Sequence, residues 1–231
     1  MLPKIIYIGE FGHDPDEEGS LLLLISLHLA GKIELIGVIA NRAPAIKRAR
    51  LARGTLDVFD LQSIPVLVGT NANQSIREDD HVQFACEYLS GNVHWSFPHF
   101  SEFWGLIEDQ PNQSVAVICA SGLTDMYQLL RRGSNKAFHD LNLFQQKVCR
   151  VTIMGGVVTD KNEILLDEDG RVMPTWSATN NQHDELAEYV YTQLQRMGIE
   201  LHIVSKHAAY TARIPRDTYD QLRLTNHPVG R

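Results

Sequence analysis

Ile5-Ile6-Tyr7-Ile8-Gly9-Glu10-Phe11-Gly12-His13-Asp14-Pro15-Asp16-Glu17-Glu18-Gly19-Ser20, running straight into the apolar stretch Leu21 to Leu24, is the segment that decides the fold. A short apolar run ends in a glycine-bearing turn, and an apolar helix follows at once. Four carboxylates (Glu10, Asp14, Asp16 and Glu17) fall within eight residues of that turn. A strand, an acidic turn and a helix in this order put oxygen ligands at the carboxyl end of a strand. Open α/β sheets bind their ligands there, and hard cations prefer oxygen clusters of this kind. Capping accounts for part of the same turn. Asp14 is a good N-cap, Pro15 suits the first helical position, and Glu17 stands three residues after Asp14 as a capping-box partner. Glu10 and Asp16 are left over.

Outward from this turn, Ile- and Val-rich runs recur at residues 4–8, 33–40, 65–68, 114–119, 149–154 and 200–204. Near-continuous apolar runs suit parallel strands covered on both faces. Helical patterns lie between them, at about 18–30, 44–60, 80–90, 123–132, 138–145 and 184–197. The alternation predicts an α/β fold, an open, doubly wound, mostly parallel sheet, as a single domain over residues 1–231. The aromatic segment 91–112 reads as an insertion beside the site or as a satellite apolar cluster under a loop.

Composition narrows the function classes. The chain has 231 residues, 44% hydrophobic and 21% charged, which is ordinary for a globular protein. A net charge of −7 argues against a nucleic-acid surface, which needs clustered Lys and Arg. The one basic cluster, Lys47 to Arg53, reads as the solvated face of a helix. Cys86, Cys119 and Cys149 have no metal-ligand spacing and read as free thiols in a reducing compartment. Leu21 to Leu29 is too short to span a bilayer, and no signal peptide is visible. The expectation is a cytoplasmic protein with no membrane partner.

In a parallel sheet the turns after the strands share one edge. Glu10 to Glu17, Asn41, Ser121 to Asp125, Gly155-Gly156 and Ser205 to His207 all follow strands and so converge on one crevice. In this order the residues resemble the nucleoside hydrolase family, the calcium-dependent ribohydrolases. The resemblance is carried by Glu10-Phe11-Gly12-His13-Asp14-Pro15-Asp16-Glu17, Val38-Ile39-Ala40-Asn41, Pro65-Val66-Leu67-Val68-Gly69, Ser121-Gly122-Leu123-Thr124-Asp125, Met154-Gly155-Gly156, and Asn180 with Asp184-Glu185-Leu186-Ala187. It implies a deep pocket, a calcium ion and hydrolysis of the N-glycosidic bond of a ribonucleoside or related N-riboside.

Carried over residue by residue, Asp16 is the candidate for activating water. Glu17 and the Thr124 carbonyl are candidate metal ligands, with Glu10 and Asp14 beside them. Asn41, Met154 and Asn180 stand at ribose-contacting positions, and His207, after the last strand, is a further candidate for substrate binding. The expected partner is a small nucleoside, with a homo-oligomer as the family's habit. A carboxylate near the sugar stabilises the positive charge that builds as the bond breaks.

The chain departs from the family at several points. The first aspartate is Glu10 and the last of the pair is Glu17. A late aspartate ligand reads Lys206 or His207, and the family's glutamate in its ribose motif reads Ala178. The closing C-terminal region of the family is not recognisable before Arg231. These departures motivate an alternative: a catalytically degenerate relative that binds a nucleoside, a ribosylated ligand or a protein. A weaker third reading is a magnesium-dependent phosphatase using Asp14 or Asp16.

Overall fold

The computed structural model describes residues 2–12, 15–71, 100–136, 138–161, 163–175 and 184–230. Its elements follow the expected alternation: β1 (Lys4–Gly9), α1 (Pro15–Leu29), β2 (Glu34–Ala40), α2 (Ala45–Val58) and β3 (Val66–Val68) come first. After them come α3 (Phe100–Ile107), β4 (Val115–Cys119), α4 (Thr124–Lys136), α5 (Phe138–Lys147) and β5 (Val148–Met154). A small hairpin, β6 (Thr159–Asp160) with β7 (Glu163–Ile164), precedes α6 (Asp184–Arg196), β8 (Glu200–Val204), α7 (Lys206–Thr211) and α8 (Asp217–Leu224).

Six strands form one parallel sheet in the order β3-β2-β1-β4-β5-β8. The order runs outward from β1 in one direction and resumes from β4 in the other. β1 and β4 therefore flank the switch point, where the chain connections part and leave a crevice. The expected fold class holds.

Strand alternation builds two cores. On β1, Ile5 and Tyr7 face a layer made with α1 and α2, while Ile6 and Ile8 face a layer made with α3, α4, α5 and α6. Side chains on successive strand residues point to opposite faces, so one apolar run serves both layers. Phe103 and Trp104 of α3 pack on Phe144 in the second layer. That part of the aromatic segment is core, and the remainder up to residue 99, with the expected 80–90 helix, lies outside the described residues.

Helix α2 overturns one expectation. The basic cluster is not a solvated face, because Arg48 is fully buried and Arg53 nearly so. Arg48 stands at the apolar stripe of Ala45, Ala49 and Ala52, at helical spacing. Its Nη1 donates to the carbonyls of Glu10 at 2.7 Å and Phe11 at 2.6 Å. Its Nε and Nη2 donate to Arg42 and Ala43 carbonyls, each at 3.1 Å. One guanidinium thus ties the acidic turn to the turn after β2. Arg53 does similar work lower down, donating to Leu61 O at 2.8 Å and pairing with Asp57.

Candidate functional site

The site is built from the carboxyl ends of β1, β2 and β4. Strand hydrogen bonding continues past the last residues, with Asn41 N donating to Gly9 O at 3.0 Å and Ala120 N to Ile8 O at 2.9 Å. These bonds bring Glu10, Asn41 and Ser121 to neighbouring places on one edge. All three are buried, at 7%, 1% and 0% exposure.

After β1, helix α1 starts at Pro15, the position where proline is pre-organised for a first turn. Asp14, its expected N-cap, lies outside the described residues. Glu17 turns inward and is 2% exposed, whereas Asp16 beside it is exposed. Burial, with the hydrogen bond and charge of Asp16 and the charge of Glu10, pushes the Glu17 carboxyl up to about 10. Glu18 reaches back so that its Oε1 accepts from Gly12 N at 2.7 Å. Burial raises Glu18 to about 7, against the pull of the backbone N–H groups of Glu18 and Gly12.

After β2 comes Asn41. It does not cap α2; the side chain of Asn71 accepts from Ala45 N instead, at 2.9 Å. The Asn41 Nδ2 donates to Gly122 O at 3.1 Å and to Asp125 Oδ2 at 2.7 Å. Arg42 follows in the left-handed region, φ 65°, and its Nη1 pairs with Glu10 Oε2. A non-glycine residue there is uncommon, and such strain gathers at functional sites.

After β4, Thr124 opens α4 and is half-buried, and Asp125 follows it inward at 3% exposure. Asp125 accepts from Asn41, from Thr70 N at 2.8 Å and from Thr70 Oγ1 at 3.1 Å. Burial pushes this carboxyl up and the hydrogen bonds from Asn41 and Thr70 pull it back. Gly69 makes the approach possible. A Cβ there would sit 2.8 Å from Asn41 Cβ and 3.0 Å from both Ala40 O and Asp125 Oδ1.

Several buried polar atoms of this edge have no hydrogen-bond partner: Glu17 Oε2, Asn41 Oδ1, Arg42 Nε and Ser121 Oγ. They come from the turns after three adjacent strands. Leaving a buried polar atom unsatisfied costs about 1–3 kcal/mol, so each of these atoms calls for a partner.

The other expected site residues are placed differently. Met154 ends β5, one strand beyond β4, and is half-buried. His207 is exposed on α7, after the edge strand β8. With strands spaced about 4.8 Å apart, β8 lies roughly 10 Å from β4. Asn180 lies outside the described residues.

Sequence reasoning missed Arg48, Arg42 and Thr70, and placed Asp125 at the crevice within Ser121 to Asp125 without its tie to Asn41 and Thr70. Arg48 had a signal, a charged residue at an apolar-stripe position of a helix. Arg42 had none, because an arginine in a turn is commonplace on solvated surfaces.

The described residues alone do not assemble calcium's donor set. Calcium takes about 6–8 oxygen ligands, yet the Glu10 carboxylate is engaged by Arg42 and Glu18 Oε1 by a backbone N–H. Among the described residues no group of three or more His, Cys, Asp or Glu is placed to hold a metal ion. Nor, among them, is any helix long and apolar enough to cross a membrane.

No protein-family model matches this sequence, and no curated protein matches it either. Solved structures do. The type III effector protein XopQ, complexed with adenosine diphosphate ribose, superposes with a TM-score of 0.82 at 26% identity, over 100% of this chain and 63% of its own. The effector protein XOO4466 gives a TM-score of 0.77 at 23% identity, with the same 100% and 63% coverage. A nucleoside hydrolase-related hypothetical protein from Saccharophagus degradans, associated with carbohydrate metabolism, gives only 0.40 at 16% identity, covering 83% of this chain and 51% of its own. The chain spans 63% of the length of each effector it superposes on. The relation established is one of fold, an open α/β sheet shared with the two effectors.

Proposed function

We propose that the crevice over β1, β2 and β4 binds the ribose portion of a ribosylated small molecule such as ADP-ribose or a nucleoside. The observation that carries this reading is the set of buried, unpartnered oxygens that follow three adjacent strands: Glu17 Oε2 in the first turn of α1 after β1, Asn41 Oδ1 after β2 and Ser121 Oγ after β4. A ribose presents vicinal hydroxyls, each both donor and acceptor, and such groups satisfy oxygens of this kind. Glu17, held protonated at neutral pH by its burial, can donate as well as accept. The ADP-ribose held by XopQ, whose fold superposes on the whole of this chain, supports the same ligand class.

Arg42 and Arg48 supply positive charge to the acidic turn from within the protein. Arg42 pairs with Glu10, and Arg48 lies within electrostatic reach of Glu10, Glu17 and Glu18. In this reading ligand binding does not depend on calcium.

A second reading adds catalysis, and the exposed Asp16 beside the buried Glu17 favours it. Asp16 would take a proton from water attacking the anomeric carbon as the bond to the base breaks. The carboxylates of the turn would stabilise the positive charge on the sugar. The departing base would leave with the bonding electrons and gain a proton.

Calorimetric titration of the purified chain with ADP-ribose, inosine and uridine, each in chelator and in calcium, tests both readings. Saturable binding of at least one ligand in chelator supports the binding reading, and no binding under either condition contradicts it. Release of free ribose from inosine or uridine, or of adenine from ADP-ribose, abolished in Asp16→Asn with binding retained, establishes hydrolysis. Binding without ribose release leaves a binding protein.

A further inference from the structure

We infer that Asp125 is a positioning residue: it locks the Asn41 amide in one orientation, so that Asn41 presents a ligand with an acceptor and never a donor. The inference rests on the ribose-binding reading for its ligand and on hydrogen-bond geometry for its mechanism.

Both protons of the Asn41 Nδ2 are committed, one to Gly122 O at 3.1 Å and one to Asp125 Oδ2 at 2.7 Å. An amide flip would bring Asn41 Oδ1 against these same two oxygens. Gly122 O is a carbonyl and can only accept, and Asp125 Oδ2, which takes the shorter of the two bonds, is the second acceptor that a flipped Asn41 oxygen would have to oppose. Asp125 is itself held. Thr70 N donates to its Oδ1 at 2.8 Å, and Thr70 Oγ1 to its Oδ2 at 3.1 Å. Gly69 leaves no room for the cluster to shift, since even a methyl there would press on Asn41, Ala40 and Asp125 together.

With its donors used, Asn41 retains a single unpartnered atom, Oδ1, in a side chain 1% exposed. What it recognises must therefore carry a hydrogen to donate. A sugar hydroxyl satisfies this; an ether oxygen or a missing hydroxyl does not. Sites built to pair a hydroxyl reject analogues that lack it, because the buried partner is then left alone. Asp125 thus sets specificity without touching the ligand.

Two measurements test this. In ligand-free wild-type protein, hydrogen exchange of the Asn41 side-chain amide, followed by NMR, is expected to be slowed at least tenfold relative to an exposed asparagine. Exchange as fast as in a surface asparagine overturns the inference, and this arm needs no variant and no ligand. In the second arm, Asp125→Leu removes the acceptor that holds Asn41 Nδ2 and offers no hydrogen-bonding atom in its place. Affinities for ADP-ribose and for its analogues lacking the 2′- or 3′-hydroxyl of the terminal ribose are compared in wild type and variant. Wild type is expected to prefer ADP-ribose over one of the two analogues by at least tenfold, and Asp125→Leu to lose most of that preference. A folded variant that keeps wild-type discrimination overturns the inference, since a purely structural Asp125 would weaken all three ligands alike. Failure of wild type to bind ADP-ribose counts against the binding reading, while the exchange arm still decides the Asn41 orientation.

Discussion

The crevice over β1, β2 and β4 and the far edge of the sheet at β8 are made of the same kinds of element, yet they are finished in opposite ways. At the crevice, Glu10, Glu17, Asn41, Arg48, Ser121 and Asp125 are all buried polar groups. Hydrogen bonds join residues more than eighty positions apart, as from Asn41 to Asp125. At the far edge, α7 buries no residue at all, and Tyr210 on it is 64% exposed. Burying polar groups in pairs is costly unless each finds a partner. The crevice joins its buried polar groups in one hydrogen-bonded network, while α7 after β8 buries none of its residues.

That contrast can be broken most severely at Arg48. Arg48→Ala strips four backbone carbonyls of their donor, and the turn after β1 loses its tie to α2. We expect a loss of about 3–5 kcal/mol, the range for breaking a buried charged network, read as a shifted urea midpoint. Loss of ligand binding should accompany it.

Next comes Gly69→Ala. Its methyl would lie at 2.8–3.0 Å from Asn41, Ala40 and Asp125. Overpacking of this kind costs about 1–3 kcal/mol, and here the yielding atoms belong to the site. Thermal unfolding should show the loss, and calorimetry a larger proportional fall in ligand affinity.

The pH dependence follows from Glu17 and Glu18. Both have folded-state values above the ordinary 4.5, about 10 and about 7. The folded state therefore binds their protons more tightly than the unfolded chain does. Their contribution is fully present below pH 4.5; Glu18's is lost as pH rises to about 7, and Glu17's continues to fall towards about 10. Glu17→Gln stays neutral throughout, so its melting temperature should fall less than that of wild type between pH 7 and 10. Equal slopes would contradict the burial assigned to Glu17.

Tyr210→Ser, on α7 after β8, should change stability by no more than about 0.5 kcal/mol, as exposed substitutions do. Its ligand affinity should match wild type.

The sheet was legible in the sequence because parallel strands covered on both faces must be apolar at nearly every position, as Val115 to Cys119 are. Pro15 likewise announced the start of α1. The crevice was legible at Glu17 and Asn41, which stand at strand-following positions with chemistry to spare. The roles of Arg48 and Asp125 were not, because they arise from partners remote in sequence: the Glu10 and Phe11 carbonyls for one, Asn41 and Thr70 for the other. Local pattern records what a residue's neighbours in the chain demand. It carries no trace of a carbonyl brought alongside by a crossover.

The most direct test of the account is an ADP-ribose titration of the isotopically labelled protein, mapped by backbone amide shifts in chelator. The account predicts saturable shifts concentrated at Glu17, Asn41, Ser121 and Asp125, with Lys206 to Leu224 unmoved. Shifts centred on β8 and α7, or none at ligand concentrations in the millimolar range, would contradict it.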